Sequence, residues 1–169
     1  MKTVLTTLII GLSTLMVGSL SAQKVGYIDS QELIQTIPEV KEANSNIETF
    51  RNQLQKKGQD MIQALQAKYA DLQQKRDRGE LSPVQLEQEA AKLKTEEQQI
   101  YQFDQSSQQE IVKKSEALLE PLKTKIQNAI DDVAAENGYA YIFDFATGFV
   151  LYADQGTDVS ALVKAKLGL

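Results

Sequence analysis

No cysteine, histidine or tryptophan occurs among the 169 residues, so the side chains can do only the chemistry of carboxylates, amines, guanidinium groups, amides, hydroxyls and phenols. That excludes Cys–His and Ser–His–Asp nucleophilic sites and removes the usual ligands of zinc and haem. No Asp/Asn-rich loop has calcium-binding spacing, and no glycine-rich loop could cradle a phosphate. The expectation is therefore a chain without catalytic residues, metal or cofactor, and an enzyme is the least supported class. What remains is adhesion. Six of the eleven Tyr and Phe residues lie between Tyr139 and Tyr152, with Tyr27 near the other end of the chain. A basic cluster, Lys75, Arg76 and Arg78 around Asp77, could touch an anionic surface, although three charges more often serve solubility. Between these lies a long polar stretch rich in Gln, with Ile62 and Tyr101 interspersed.

The aromatic residues need strands to hold them. Lys24-Val25-Gly26-Tyr27-Ile28 reads as a short strand, followed by Asp29 as helix cap and Glu32 completing a capping box. Tyr139 to Phe145 alternates, with Tyr139, Tyr141, Phe143 and Phe145 on one face and Ala140, Ile142 and Asp144 on the other. Ala146-Thr147-Gly148 makes a tight turn, and Phe149-Val150-Leu151-Tyr152 is expected to return as an antiparallel strand. A last helix is expected from about Asp158 to Leu167, capped by Thr157, with Val159, Leu162, Val163 and Leu167 inward. So few elements make a meagre core, and open sheet edges bearing aromatics invite pairing with another chain. The bland alternative is that neighbouring helix covers the sheet unaided.

The polar stretch needs helices. From Ala43 through Ile47, Phe50, Leu54, Gly58, Met61, Leu65 and Tyr69 to Leu72, steps of three and four residues average about 3.6, with an eleven-residue repeat rather than a strict heptad. Gly79 can close this helix; Ser82, Pro83 and Gln85 can open the next. Apolar positions resume at Leu86, Ala90, Leu93, Ile100, Phe103, Ile111, Leu118, Leu122, Ile126, Ile130 and Val133, and Asn137-Gly138 ends the run. So short a connection turns the helices antiparallel. Folding at residues 80–81 sets Pro121 opposite Val40, near Pro38, so both prolines mark the base of an arm about 60 Å long, with the descending helix bent at Pro121. Gly58 marks a flex point. The arm's free faces read either as a plain solvated surface or as a weak, non-specific contact surface.

Met1 and Lys2 precede a mostly apolar run from Val4 to Val17, and small and polar residues follow to Ala22 and Gln23. This is the order of a secretory signal peptide, cut between Ala22 and Gln23; its apolar run is short for a membrane anchor. Removing Lys2 would take the net charge from −5 to near −6. The expected division is residues 1–22 as signal, 23–38 with 138–169 as a body, and 39–137 as the hairpin arm, its tip near 79–82. The fold class is α+β: a small β-rich body with a long antiparallel coiled-coil hairpin.

The strand Val25-Gly26-Tyr27-Ile28-Asp29, the hairpin, the stretch Pro121 to Ile130 and the segment Glu136 to Asp144 together resemble the Skp/OmpH family of periplasmic chaperones, over essentially all of Lys24 to Leu167. The resemblance implies a soluble periplasmic homotrimer whose bodies join through their strands into a small barrel. Val25, Tyr27, Ile28, Tyr139, Tyr141, Ile142, Phe143, Phe145, Phe149 and Leu151 would supply that contact. It implies an ATP-independent holdase whose arms surround unfolded outer-membrane β-barrel proteins, with Met61, Ile62, Leu65, Tyr69, Tyr101 and Phe103 as client-contact candidates. The outer-membrane barrel-assembly machinery would be a further partner, and nucleic acid none. Well-known members of the family are strongly basic, whereas this chain has a pI near 4.9, so no lipopolysaccharide site is carried over. Residues 80–137 carry 12 acidic and 6 basic side chains, residues 39–79 carry 6 and 8, and electrostatic capture of acidic clients would fall to the outgoing arm and tip. The main alternative is a structural or adaptor coiled-coil protein of the cell envelope.

Overall fold

The computed structural model of the protein describes residues 23–169, so the expected export signal up to Ala22 lies outside the described residues. In order, the elements are β1 (Lys24–Ile28), α1 (Ser30–Thr36), α2 (Pro38–Asp77), α3 (Pro83–Asn137), β2 (Tyr139–Asp144) and α4 (Ser160–Leu167). They divide into two compact units, residues 23–30 with Ala129–Gly168, and Gln31–Asn128.

The first unit is less β-rich than its aromatics suggested. Among the described residues, the sheet has two strands, β1 and β2, paired in parallel with Tyr27 opposite Phe143 and Ile28 opposite Asp144. Parallel pairing requires a long crossover, which the intervening helices provide. The returning strand expected at Phe149 to Tyr152 is not formed. The tight turn expected before it does form: the Asp144 carboxylate accepts hydrogen bonds from the Ser30 N–H (3.1 Å), the Ser30 hydroxyl (2.6 Å) and the Ala146 N–H (3.0 Å). Turning back on Ala146, the chain leaves the extended state and makes a 3₁₀ turn, Phe145–Thr147, closed by Gly148 at φ 74°. Phe145 therefore sits in a turn rather than at a strand end.

A segment near the C-terminus covers part of the other edge of β1. The Val159 N–H donates to the Tyr27 carbonyl at 3.0 Å, and Tyr27 forms a parallel bridge with Asp158. Gly26 is required here, because a Cβ would stand 2.9 Å from Val159 Cγ1 and 3.1 Å from the Tyr139 ring. The core of the unit is Ile28, Ala129, Val133, Val159 and Val163, all buried. Helix α4 starts two residues later than expected. Thr157 does not cap it; instead the Asp158 carboxylate accepts from the Ser160 N–H at 2.8 Å. Leu162 faces outward, while Val159 and Val163 are fully buried.

The second unit contains most of the helical hairpin, up to Asn128. Gly79 (φ 67°) follows α2, the Glu80 N–H donates to the Lys75 carbonyl, and the Gly79 N–H to that of Arg76, a complete Schellman ending. Ser82 and Gln85 then form the reciprocal capping box: the Ser82 N–H donates to the Gln85 side chain at 2.9 Å, and the Gln85 N–H to the Ser82 hydroxyl at 3.3 Å. Across the hairpin Lys125 pairs with Glu39 (2.8 Å) and Lys68 with Glu96 (2.6 Å), so partners descend one helix as they climb the other. Helix α3 continues through Pro121 as a single helix. The inner stripe follows the expected positions, except that Ala90 on α3, like Tyr69 on α2, is exposed. Along α2, Val40, Ala43 and Ile47 are buried, then Phe50, Leu54, Gly58, Met61, Leu65 and Leu72 are half-buried, and Tyr69 is exposed.

Candidate binding surfaces

Packing along the hairpin changes with distance from Pro38. On α2 the stripe is well buried to Ile47 and half-buried beyond it, while on α3 Leu93 and Ser107 stay buried. The sequence gives a local reason. Two small residues, Gly58 on α2 and Ser107 on α3, occupy stripe positions where Leu or Ile would otherwise fill the seam. The Phe103 ring leans into the space at Gly58, within 3.5 Å of where a Cβ would stand, and the Lys57 ammonium lies 4.9 Å from its centroid. A groove of about 610 Å³ opens around this point, lined by Leu54, Gly58, Ile62, Ile100, Tyr101, Phe103, Ser107 and Ile111 and by the polar Arg51, Glu97 and Asp104 among others. A second depression of about 400 Å³ shares Tyr101 and Glu97 with it.

Of the arm residues expected to contact a client, the structure brings Ile62, Tyr101 and Phe103 together in this groove. Tyr101 is 66% exposed and Ile62 45%. Met61 and Leu65 are half-buried in the stripe, and Tyr69 is exposed outside the groove. The tip cations do not stand free. Lys75 lies 2.7 Å from Asp71, Arg76 3.5 Å from Asp77, and Arg78 3.6 Å from Glu80. The hydrogen bond with Asp71, followed by that carboxylate's charge, raises the Lys75 pKa above its ordinary value.

The first unit bears a different apolar surface. Phe149 is 90% exposed, Leu151 93% and Tyr152 83%, beside a depression of about 620 Å³ that Val25, Tyr27 and Phe143 also line. Tyr141 and Phe143 stack with centroids 6.1 Å apart and are themselves exposed; Tyr27 meets Phe145 at 5.5 Å. Of the residues expected in an oligomer contact, Ile28 is instead core, and Tyr139 and Ile142 are half-buried, with the Lys24 ammonium 4.1 Å from the Tyr139 ring centroid.

The family model described as "Outer membrane protein (OmpH-like)" matches residues 24–167. The chain belongs to the OmpH-like family. No curated protein matches it significantly. Among solved structures, the crystal structure of a candidate outer membrane chaperone (OmpH-like) from Caulobacter crescentus CB15 superposes with a TM-score of 0.75 at 19% identity, covering 87% of this chain and 85% of that one. At that identity the likeness is one of fold.

Within this OmpH-like fold, sequence reasoning passed over Gly58 as a seat for Phe103, Ser107 as a stripe residue, and the rim of Arg51, Glu97 and Asp104. One signal was available. The apolar series on α3 steps eight residues from Phe103 to Ile111, and the vacant position between them is Ser107. Among the described residues no helix is long and apolar enough to cross a membrane, and no cluster of three potential metal-ligating side chains forms.

Proposed function

We propose that this OmpH-like chain is an ATP-independent holdase chaperone that holds unfolded outer-membrane β-barrel proteins and prevents their aggregation before insertion. The observation that carries this reading is the seam of the hairpin, left half-open and apolar for much of its length in a chain of this family. An unfolded chain offers many weakly apolar segments. A surface of shallow grooves on a long hairpin can engage several of them at once, and avidity then supplies the hold without nucleotide.

The setting follows. The chain would be exported by its first 22 residues, cut after Ala22, and act as a soluble protein in the periplasm. Residues 23–38 and 138–169 would form the body and residues 39–137 the arm, bent at Pro121. Three copies would join through the body, with Phe149 to Tyr152 completing a sheet with a neighbouring copy rather than with their own; edge strands and exposed aromatics call for such a partner. The barrel-assembly machinery would receive the client. No lipopolysaccharide contact is assigned, given the acidic charge.

The test is dilution of a urea-denatured β-barrel outer-membrane protein with and without the purified mature chain. Light scattering should stay low at about one trimer per client. Undiminished aggregation at that ratio would reject the reading, and tight binding to one folded partner instead would favour an envelope adaptor.

A further inference from the structure

The groove at the middle of the hairpin is lined by two carboxylates, Glu97 and Asp104, and one cation, Arg51, so its rim is net acidic. Glu97, Tyr101 and Asp104 follow one another at i, i+4 and i+7, on one stripe of α3, and all three line the groove. The two carboxylates are thus about 10 Å apart along the helix, with an exposed phenol ring between them. Among the described residues neither Glu97 nor Asp104 makes an ion pair, whereas the acids Asp60, Asp71, Glu89 and Glu96 on the same hairpin are paired with lysines.

A second observation lies on the floor. Ser107 is 5% exposed, and its hydroxyl oxygen is buried with no hydrogen-bond partner. In a helix a serine hydroxyl would ordinarily turn back to the carbonyl four residues earlier, that of Phe103. Here the neighbouring Ser106 hydroxyl already donates to that oxygen, at 3.0 Å. A buried hydroxyl without a partner disfavours the closed seam and favours whatever opens it to a hydrogen-bonding guest. Gly58 and Ser107 thus sacrifice packing where the exposed Tyr101 is flanked by Glu97 and Asp104.

We infer that this groove is a docking site for an extended polypeptide segment in which an aromatic residue lies beside a lysine or arginine. The aromatic ring enters between Ile62 and Phe103 against Tyr101. The cation lies on the Tyr101 face and between Glu97 and Asp104, where cation–π attraction and charge pairing act together. The shared second depression takes the next same-side residue of the segment, since alternate side chains of an extended chain lie about 6.8 Å apart. This inference rests on the holdase reading and names the client chemistry that the arm prefers.

Two labelled peptides test it on the full mature protein: one alternating Phe and Lys, the other alternating Phe and Glu, compared by fluorescence anisotropy at low and moderate salt. The Phe–Lys peptide should bind about tenfold tighter, and the double variant Glu97→Gln/Asp104→Asn should erase that preference. Ser107→Leu, which fills the groove and removes the stranded hydroxyl, should weaken both peptides while raising the melting temperature. Equal affinity for the two peptides, or a preference surviving the double neutralisation, would overturn the inference. If wild-type protein suppresses aggregation of the denatured β-barrel yet shows no peptide preference, the docking inference fails alone; if it suppresses nothing, the holdase reading fails with it.

Discussion

The two units solve the problem of apolar surface in opposite ways. In the first, the surface is concentrated: Phe149, Leu151 and Tyr152 stand almost wholly in solvent, beside a sheet of two strands. In the second it is diluted, as a stripe half-covered by its own partner helix and a groove where Tyr101 and Ile62 are the exposed large apolar side chains. Concentrated apolar surface costs too much in water to be left uncovered and asks for a permanent partner. Dispersed, half-buried surface is tolerable alone and suits guests that come and go. Under the proposed function, the first surface would serve assembly and the second client binding.

The largest effect should come from Phe149→Asp with Leu151→Asp. Burying each such side chain contributes about 1.5–3 kcal/mol, repeated in every copy, so the double variant should sediment as a monomer where the proposed wild-type assembly is a trimer. Client capture should fall with it, because avidity is lost.

Glycine substitutions should then act with opposite sign in the two regions. Gly26→Ala places a methyl 2.9 Å from Val159 Cγ1 and should cost about 1–3 kcal/mol in urea unfolding. In Gly58→Ala the new methyl meets Phe103 at 3.5 Å, an ordinary contact, and the helix gains about 1 kcal/mol. A destabilised Gly58→Ala protein would mean that the mid-arm seam is closely packed.

Acid should act on the first unit through Asp144. Burial opposes its ionisation, but hydrogen bonds from Ser30 and Ala146 outweigh that and hold its pKa below the ordinary aspartate value. Between the two values the unfolded chain binds more protons than the folded one, so the stabilisation is complete above the ordinary value, about 3.9, and is lost as pH falls through the folded one. Urea titrations at descending pH should show this loss in the wild type and a flatter curve in Asp144→Asn.

The smallest effect should come from neutralising Lys75, Arg76 and Arg78. Each already faces an acid in the tip, and exposed pairs of this kind are weak and screened. Client capture at low salt should fall by no more than about twofold.

The hairpin was legible because its determinants are local. A Schellman glycine, a capping box and a proline at the first helical position act within a few residues of themselves, and the stripe repeats often enough to average out exceptions. The sheet was less so. Alternation has the same period of two in parallel and antiparallel strands, so Tyr139 to Asp144 could announce a strand but not its partner. Nor does local pattern decide whether Phe149 to Tyr152 pairs, because a strand forms only against a partner. The groove was hidden for a related reason. It is made by what Gly58 and Ser107 lack, and an absent side chain leaves only a gap in an apolar series.

Site-specific photo-cross-linking tests the division of labour most directly. A photoreactive residue is placed at Ile62 or at Leu151, and each protein is irradiated with a denatured outer-membrane β-barrel protein bound. Cross-links to client from position 62, and to a second copy of the chain from position 151, are the predicted result. Client cross-links concentrated at position 151, with none from position 62, would contradict the account.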